Sequence, residues 1–358
     1  MNQITSEPQK SLSILVPCHD EESVITATTN SIWEYCKSLP DKYSSSFEII
    51  LVNDGSTDAT LELINDLIEA RSEVRLVSFV VNRGRGAALR AGFNASRGSI
   101  VTVLDADLSY SVDHIGKIIA AFELDQAADV VIISPYMKGG VVSGVPLKRL
   151  VVSRIANKIL AGFVEGNFST VTGIVRGYRG SRIRSLPLLE NGKEIHLEIL
   201  RKMSLTGAKI IEIPGRLIWS AERACQRHSL GRKFASTATR HLTYALLTRP
   251  AKLFQYSSIV LIVLGLYELL VITISTFSFF SQDDLPFFRR LWIAMNEAYT
   301  LSPHSFYIAG LALILGTQHF LMFALQSINK LQHEETVRHL IEISSQIERA
   351  KHSSSRDL

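Results

Sequence analysis

Short apolar runs rich in valine and isoleucine alternate with helix-like patterns over residues 11–135. Within each run the apolar positions are continuous rather than interleaved with polar ones, which indicates strands covered on both faces. Strands that alternate with helices predict a mostly parallel α/β sheet. The predicted strands are 12–18, 47–54, 73–80, 99–107 and 129–135, and the clearest helices between them are 58–70 and 84–96.

Three further elements follow from the same patterns. Residues 146–163 begin at Pro146 and show the apolar period of an amphipathic helix. Residues 209–219 predict a late strand. Residues 328–350 predict an amphipathic helix in the tail, which either packs on the first domain or mediates self-association.

Two long apolar stretches stand near the C-terminus, at 254–280 and 305–326. About 20 apolar residues cross a bilayer as a helix, so both stretches predict membrane spans. The alternative is that each stretch is a buried core helix. This alternative is stronger for the second stretch, because that stretch carries the polar residues Gln318 and His319. Glu268 lies near the middle of the first stretch, and intramembrane ionisable residues usually have partners. We therefore expect Glu268 to hydrogen-bond to Gln318 or His319, within or between subunits.

Basic residues surround these stretches unequally. They are frequent before the first and after the second, whereas the connecting loop holds only Arg289 and Arg290, offset by acidic residues. The positive-inside rule then places both termini and the α/β domain in the cytoplasm. The resulting organisation is a tail (1–10), an α/β domain (11–231), a juxtamembrane amphipathic segment (232–253), a first span (254–280), an extracytoplasmic loop (281–304), a second span (305–327) and a cytoplasmic amphipathic tail (328–358).

Composition excludes several classes of protein. The three cysteines lack Cys-x-x-Cys spacing, so a disulfide framework and a zinc site are both disfavoured. The net charge is +4, and no basic block is interleaved with aromatic residues, so we expect no nucleic-acid partner. The polar start of the chain, residues 1–10, does not resemble a signal peptide.

Two carboxylates follow the fourth predicted strand, Asp105 and Asp107. If the strand stays extended there, both side chains point to the same side and face one cation. Mg²⁺ and Mn²⁺ prefer oxygen ligands, and Mg²⁺ is usually held by one or two carboxylates together with substrate phosphates. The pair therefore predicts a Mg²⁺ or Mn²⁺ site that binds a diphosphate. The alternative is a loop aspartate that caps the next helix.

Other candidate residues end the first three predicted strands. Asp54 closes the second strand before a tight turn, where its carboxylate could accept hydrogen bonds from a base or a ribose. The segment "VPCHDEE" (16–22) closes the first strand. The segment "NRGRGAALRAG" (82–92) supplies glycines where a backbone must approach a ligand closely.

Taken in order, these segments resemble the family 2 glycosyltransferases with a GT-A fold, and among them the polyprenyl- and dolichyl-phosphate hexose synthases. The resemblance runs through about residues 11–235, and the two apolar stretches extend it to one bacterial branch of that group. It implies an inverting transfer of a hexose from a nucleotide sugar, of the UDP-glucose or GDP-mannose type, to an isoprenoid lipid phosphate at the cytoplasmic membrane face.

The resemblance also implies roles for individual residues. It implies that the donor is contacted by Pro17, His19, Glu21, Asp54, Gly84 and Gly86. It implies that the donor diphosphate and the metal ion are bound by Asp105 and Asp107. The acceptor phosphate would be bound by Arg149, Ser153 and Arg227. Three positions depart from the family pattern: Ser109 and Pro135 stand where a Gln and an Arg are expected, and Asn53 stands where an Asp is common.

Two functions compete with this interpretation. A processive polysaccharide synthase shares the fold but carries a Gln-x-x-Arg-Trp segment, which is absent here, and has more spans. A catalytically inactive scaffold would not need the intact aspartate pair. Glu198 is expected on a solvated helix face rather than in the site, and Trp219 is expected in the core.

Overall fold

The computed structural model describes residues 11–161, 166–219, 250–280 and 285–354. The chain divides into two compact units: residues 1–242 with 340–358, and residues 243–339. The predicted juxtamembrane segment, apart from its last residues, and Arg227 lie outside the described residues.

A seven-stranded sheet forms the first unit, in the order β3-β2-β1-β4-β7-β5-β8. Only β7 runs antiparallel to its neighbours β4 and β5. The predicted α/β class with a mostly parallel sheet is therefore confirmed. The strands are β1 Leu12–Cys18, β2 Phe47–Asp54, β3 Val74–Phe79, β4 Ile100–Val103, β5 Ala128–Ser134, β7 Arg176–Arg179 and β8 Lys209–Pro214, and a small second sheet pairs β6 Val141–Ser143 with β9 Arg216–Ile218.

Helices cover both faces of the sheet, as continuous strand hydrophobicity predicts. Every residue of β2 is buried. In the fourth helix, Gly92 lies so close to Leu15 and Val52 that a Cβ there would come within 2.6 Å of the Leu15 side chain. The helices of this unit are α1 Ile25–Lys37, α2 Asp41–Ser44, α3 Thr60–Ala70, α4 Arg85–Ala95, α5 His114–Leu124, α6 Leu147–Ala161, α7 Gly180–Arg184 and α8 Ile195–Leu205.

Two predicted strands end earlier than expected. The run 99–107 is a strand only to Val103. The chain turns beyond it, and Leu108 adopts a left-handed φ of 45°. The run 209–219 divides at Gly215 into β8 and β9, which pair in different sheets. Apolar composition predicts burial in both cases, whereas the hydrogen-bond partners of the backbone decide where each strand stops.

Three helices make up the C-terminal region: α9 Pro250–Ser278, α10 Phe287–Leu301 and α11 Pro303–Ser354. The segment 281–304, predicted as a loop, thus contains a helix, and the second apolar stretch and the tail form one continuous helix. Ala251–Ser278 and Pro303–Asn329 are long and apolar enough to cross a membrane. Only 11% and 17% of their most apolar windows are buried, unlike the core helices of a soluble protein.

Small residues set the packing of α9 against α11. The Ser258 hydroxyl donates to the Gly316 carbonyl at 3.0 Å. A Cβ on Gly316 would lie 2.8 Å from the Ile262 side chain, and one on Gly265 would lie 2.7 Å from Leu313. Glycine and serine at such positions let two helices approach closely.

The expected pairing of Glu268 within the chain is wrong. The packing register places the His319 ring against Phe254, with ring centroids 5.7 Å apart. Glu268 lies about four helical turns further along α9, so His319 and its neighbour Gln318 are out of reach. Among the described residues Glu268 forms neither a hydrogen bond nor an ion pair with either of them. A pairing between subunits stays a prediction.

Candidate active site

The candidate site lies where the strand order of the sheet reverses. The chain runs outward from β1 through β2 to β3, and then returns to place β4 on the other side of β1. Ligands of open α/β sheets bind outside the carboxyl ends of the strands at such a point. The carboxyl ends of β1, β2 and β4 therefore meet at one edge, where His19, Asp54 and Asp105 lie.

A tight turn after β4 holds the aspartate pair. The Leu108 amide donates to the Asp105 carbonyl at 3.2 Å, and the Ser109 amide donates to Asp107 Oδ1 at 2.9 Å. The strand is not extended here, so the expectation of two parallel side chains on an extended strand is wrong. Both carboxylates instead project from one turn.

Neighbouring elements fix this turn from two sides. The Thr28 hydroxyl on α1 donates to the Ala106 carbonyl at 2.6 Å. The Ile218 amide at the end of β9 donates to the Ser109 carbonyl at 2.9 Å. The Asp105 carboxylate is mostly buried, with 18% of its side chain exposed, and an Arg85 guanidinium nitrogen lies 4.0 Å from it. The turn is thus a preorganised and partly desolvated place for charge.

The donor set fits a divalent cation that shares its ligands with a substrate. In the part of the chain that the structure describes, no group of three or more His, Cys, Asp or Glu side chains could enclose a metal ion by itself. Two carboxylates leave positions for phosphate oxygens and water, which is the usual arrangement for Mg²⁺.

Asp54 holds the loop that follows β3. Its two carboxylate oxygens accept hydrogen bonds from the Arg83 amide at 2.8 Å and the Gly84 amide at 3.0 Å. The side chain is buried, with 4% of the residue exposed. Asp54 therefore fixes the start of the glycine-rich segment, and its contact with a nucleoside stays a prediction.

The glycines of that segment make room for another loop of the same chain. The Gly86 amide donates to the Asn191 carbonyl at 2.7 Å. A Cβ on Gly86 would lie 2.3 Å from the Glu190 carbonyl oxygen, and one on Gly84 would lie 2.5 Å from that of Asn191. The close backbone approach that the sequence predicts is thus made by residues 190–192, and donor binding by Gly84 and Gly86 stays a prediction.

The loop after β1 is tied to the loop after β2. The Glu21 amide donates to the Thr60 hydroxyl at 2.8 Å, and the Thr57 amide donates to the Asp20 carboxylate at 2.8 Å. Pro17 is the half-buried next-to-last residue of β1 and lies opposite Val52. The half-exposed His19 follows at the same edge. The structure brings Pro17, His19 and Glu21 to the site, and their donor contacts stay predictions.

Arg149 and Ser153 face aromatic partners. The Arg149 guanidinium lies over the Trp219 ring, 4.5 Å from its centroid. The Ser153 hydroxyl hydrogen-bonds with the Tyr136 hydroxyl at 2.8 Å. Trp219 is half-buried, so its expected place in the core is wrong. Arg227, the third predicted acceptor ligand, lies outside the described residues.

A path of direct contacts joins the aspartate turn to Arg149. Ser109 in the turn accepts the Ile218 amide, and the next residue, Trp219, carries the Arg149 guanidinium on its ring. The Trp219 amide also donates to the Ser143 carbonyl at 3.0 Å, which ties this strand end to β6 just before α6. The turn that carries the predicted metal residues is thus connected through the end of β9 to the helix that carries Arg149.

The side chain of His114, at the start of α5, binds the first residue of β9. Its Nδ1 lies 2.8 Å from the Ser111 carbonyl oxygen, and the Arg216 amide donates to its Nε2 at 3.0 Å. This pattern requires the neutral ring with its proton on Nδ1. Burial lowers the pKa of His114, against the opposing effects of the Ser111 carbonyl and of Asp113.

We expect the stability of the protein to fall as the pH falls below about 6.5, the ordinary pKa of histidine. In that range the unfolded chain binds a proton that folded His114 does not, so the free energy of unfolding decreases. Thermal unfolding of the detergent-solubilised chain at two pH values, above and below this range, measures the effect. His114→Gln should reduce the pH dependence, because the variant lacks the buried neutral ring. Equal pH dependence in the wild type and His114→Gln would contradict this role.

Glu198 is buried, contrary to the expected solvated helix face. Only 4% of the residue is exposed. Its carboxylate accepts hydrogen bonds from the Leu189 and Glu190 amides, each at 2.9 Å, and from the Lys202 ammonium at 2.6 Å. Helical periodicity could not show that the preceding loop folds back onto α8. Because residues 190–192 cover Gly86, Glu198 supports the glycine-rich segment from behind.

Glu198→Gln should destabilise the protein by about 2 kcal/mol, because hydrogen bonds to charged groups contribute about 1.5–3 kcal/mol. The amide keeps one acceptor oxygen and loses the charge that pairs with Lys202. Chemical denaturation of both proteins would give the difference. Glu62→Gln, on the exposed face of α3, serves as the control and should change the free energy of unfolding little. Equal losses for the two variants would contradict the proposed support.

The sequence reasoning missed three residues of the site. Arg85 forms an ion pair with Asp105 at 4.0 Å, and Tyr136 and Trp219 contact the two predicted acceptor residues. Arg85 stands between the two predicted glycines, which is the one local signal for it. Tyr136 and Trp219 are distant in sequence from α6 and meet it only through the fold.

Burial opposes the reactive thiolate form of the two cysteines that the structure describes. Burial raises the pKa of the Cys18 thiol to about 12 and that of Cys36 to about 12. Both described cysteines are free and buried. Cys225 lies outside the described residues.

Part of the chain matches the model of a known protein family. Residues 13–185 match the model of the family described as glycosyl transferase family 2. This range includes every predicted site residue except Arg227, and the match confirms the predicted family resemblance.

Curated relatives are similar in sequence to parts of this chain. An undecaprenyl-phosphate 4-deoxy-4-formamido-L-arabinose transferase of Aeromonas hydrophila is 34% identical over 114 residues, which cover 31% of this chain and 33% of the relative. A polyprenol monophosphomannose synthase of Mycolicibacterium smegmatis is 26% identical over 217 residues, which cover 59% of this chain and 78% of the relative. The chain thus spans about a third of the first relative and most of the second.

Among solved structures, a mycobacterial protein aligns with a TM-score of 0.44 and 21% identity, over 58% of this chain and 66% of that one.

Proposed function

We propose that this chain, which contains a family 2 glycosyltransferase domain over residues 13–185, moves one hexose from a nucleotide sugar to a polyprenyl or dolichyl phosphate. The donor is of the UDP-glucose or GDP-mannose type. The transfer inverts the anomeric centre and takes place at the cytoplasmic face of a membrane, where both termini lie.

One observation carries the proposal. The aspartate turn at the sheet's switch point is joined through Ser109, Ile218 and Trp219 to Arg149 on α6. A single site therefore offers carboxylates for a donor diphosphate and a cationic residue for an acceptor phosphate. The names of the curated relatives agree with such an acceptor, since both include an undecaprenyl-phosphate or polyprenol substrate.

The residues present fit this chemistry. Asp105 and Asp107 would hold a Mg²⁺ or Mn²⁺ ion, which when bound would offset the charge of a nucleoside diphosphate leaving group. Asp54 and the loops after β1 and β2 would position the nucleoside. Arg149 and Ser153 would orient the acceptor phosphate toward the anomeric carbon, where the transition state resembles an oxocarbenium ion.

The acceptor explains why the site needs no strong general base. A phosphate monoester has a second pKa of about 6, so it is largely ionised at neutral pH. The task of the protein is to position this anion and to exclude water. A charged and forked donor such as Arg149 suits that task.

A processive polysaccharide synthase and an inactive scaffold are the alternatives. The chain carries no Gln-x-x-Arg-Trp segment and has two candidate spans among its described residues, which argues against the first. The anchored aspartate turn argues against the second. Self-association through the spans and the tail stays a prediction.

Incubation of membranes that contain the protein with a panel of labelled nucleotide sugars tests the proposal. We expect label from one donor to enter the lipid extract as a single sugar per lipid, in a divalent-cation-dependent manner. Label in long polymers would favour the synthase, and no lipid-extractable or hydrolysed label from any donor would favour the scaffold.

A further inference from the structure

Three polar residues of α6 lie on one face of the helix. Arg149, Ser153 and Asn157 are spaced four residues apart, so their side chains project from the same side. Arg149 lies over the Trp219 ring, and Ser153 bonds to the Tyr136 hydroxyl. Asn157, one turn beyond Ser153, is buried, with 2% of the residue exposed. The two predicted acceptor residues are therefore aligned with a buried carboxamide.

Asn157 makes hydrogen bonds with both the oxygen and the nitrogen of its carboxamide. Its Oδ1 accepts from the Val171 amide at 2.9 Å, the Thr172 amide at 3.2 Å and the Thr172 hydroxyl at 3.1 Å. Its Nδ2 donates to the Ser153 carbonyl at 2.9 Å. One buried side chain thus joins the turn of α6 that carries Ser153 to residues 169–172, which we call the latch loop.

The latch loop is itself fixed to the sheet. The Glu212 carboxylate on β8 accepts the Thr170 amide at 2.8 Å. The Thr170 hydroxyl hydrogen-bonds with the Ser134 hydroxyl at the end of β5 at 2.7 Å. The fully buried Arg176 on β7 donates to the Val171 carbonyl at 2.7 Å. Three strands therefore hold the loop, and Asn157 fastens α6 to the framework of the domain.

Apolar packing contributes little to the position of α6. Among the α6 side chains that the structure describes, Leu160 alone belongs to the apolar core. Leu147, Val151 and Ile155 have exposed fractions of 77%, 51% and 55%. Apolar contacts are also non-directional, whereas a hydrogen bond requires a defined geometry. The orientation of the helix therefore depends chiefly on its polar contacts, and Asn157 makes the buried ones.

The length of the helix amplifies any displacement at Asn157. Arg149 lies about two turns away, which is about 12 Å along the helix axis. A tilt of about 5° at Asn157 would move Arg149 by about 1 Å over that distance. A misplacement of about 1 Å can lower the rate of a positioned reaction by about a hundredfold. A small change at the latch loop would thus be felt at the acceptor residues.

We propose that Asn157 is a positioning residue for the lipid acceptor. It sets the rotation and the height of α6, so that Arg149 and Ser153 direct an acceptor phosphate toward the aspartate turn. Asn157 acts through these two residues and does not itself contact the phosphate. The consequence for catalysis rests on the proposed function, whereas the effect on the position of α6 does not.

The distance between two spin labels tests the position of α6 without any activity. The labels would be attached to Val151→Cys on α6 and Leu124→Cys at the end of α5, both exposed positions. The chain is full-length, the two described cysteines are buried, and Cys225 is replaced by serine. Asn157→Ala should shift the most frequent distance by about 1 Å or more, or widen the distribution. An unchanged distribution would overturn the proposal.

Ser13→Ala is the matched control for the label distance. Ser13 is fully buried and donates to the Glu48 carboxylate at 2.7 Å. It lies near the start of β1, at the opposite end of the strand from the site. Losing this buried hydrogen bond should lower stability without moving α6. An equal change of the label distance in Ser13→Ala and Asn157→Ala would refute a specific role of Asn157.

Kinetics connect the position of α6 to transfer. With the lipid phosphate varied at saturating donor, Asn157→Ala should lower kcat/KM by about tenfold or more. Nucleotide-sugar binding without lipid should stay within about twofold of the wild type. Thr172→Val removes one bond to Asn157 at a half-buried position and should lower kcat/KM by about threefold. It replaces Asn157→Ala in both measurements if that variant does not fold. Equal losses of donor binding and acceptor turnover would contradict positioning.

A combined variant separates positioning from general damage. In a chain that already carries Arg149→Ala and Ser153→Ala, adding Asn157→Ala should lower kcat/KM by less than about twofold, because the residues through which it acts are gone. The full tenfold loss in that background would overturn the proposal. A wild-type chain that transfers no sugar to a lipid phosphate would refute the proposed function, and the label distances would still decide whether Asn157 positions α6.

Discussion

Replacing Asp105 or Asp107 with asparagine should abolish sugar transfer while the protein remains folded. Each change removes a negative charge from the turn after β4, where a divalent cation and the donor diphosphate would bind. Metal stabilisation of a leaving group contributes several kcal/mol, so we expect the rate to fall by about a hundredfold or more. The fold should survive, because an asparagine at position 107 keeps an oxygen that accepts the Ser109 amide.

Initial rates of the purified variants, with and without added Mn²⁺ or Mg²⁺, measure this effect. Asp125→Asn is a suitable control. Asp125, at the end of α5, forms an ion pair with Lys209 and is not part of the site. Thermal unfolding would verify that all variants are folded. If both site variants, and the wild type in EDTA, keep activity within about twofold of normal, the proposed metal site is wrong.

Arg149→Ala should reduce turnover of the lipid acceptor by tens-fold or more and leave donor binding nearly unchanged. The guanidinium stacks on Trp219 and lies on the same helix as Ser153, which itself bonds to Tyr136. Charge-assisted hydrogen bonds to a phosphate contribute about 1.5–3 kcal/mol each, so the loss of a forked donor explains an effect of this size.

The assay varies the concentration of the lipid phosphate at saturating donor, and a separate titration measures nucleotide-sugar binding in the absence of lipid. Arg182→Ala is the matched control, because Arg182 is a half-exposed arginine whose partner is Asp129. Weaker donor binding with unchanged acceptor kinetics in Arg149→Ala would refute the assignment.

Strand composition predicted the architecture because both faces of the sheet are covered. The predicted bounds of β1 and β2 agree with the structure residue for residue. The strand before Asp105 was overestimated, because Leu104 and Ala106 are apolar and buried although the strand ends at Val103. Their burial comes from contacts with other elements, such as the bond from Thr28 to the Ala106 carbonyl, and no local pattern encodes those contacts.

The sequence predicted those residues of the candidate site that lie at the ends of strands. Asp54 and Asp105 follow buried strands, and parallel strands bring such residues to one edge. Residues that depend on long-range folding were missed or misjudged. Glu198 binds a loop that precedes its own helix, and Trp219 meets α6 after the chain has passed through three further strands. The register of α9 against α11 depends on Ser258, Gly265 and Gly316 rather than on the depth of Glu268.

The glycine-rich segment shows another limit of prediction from sequence. Its composition predicted a close backbone approach at Gly84 and Gly86, and that approach exists. Sequence could not identify what approaches, because a carbonyl oxygen of a distant loop and a ligand impose the same steric requirement. In this protein the loop at 190–192 takes that place, with Glu198 behind it.

Transfer by the purified chain to two acceptors that differ only in their phosphate tests the central claim most directly. The protein would receive the nucleotide sugar selected from the donor panel, Mn²⁺, and either a polyprenyl phosphate or the corresponding polyprenol. We predict one labelled hexose per lipid with the phosphate and none above background with the alcohol. Equal labelling of both lipids, or labelling of neither while the donor is consumed, would contradict a transferase that uses a lipid phosphate as its nucleophile.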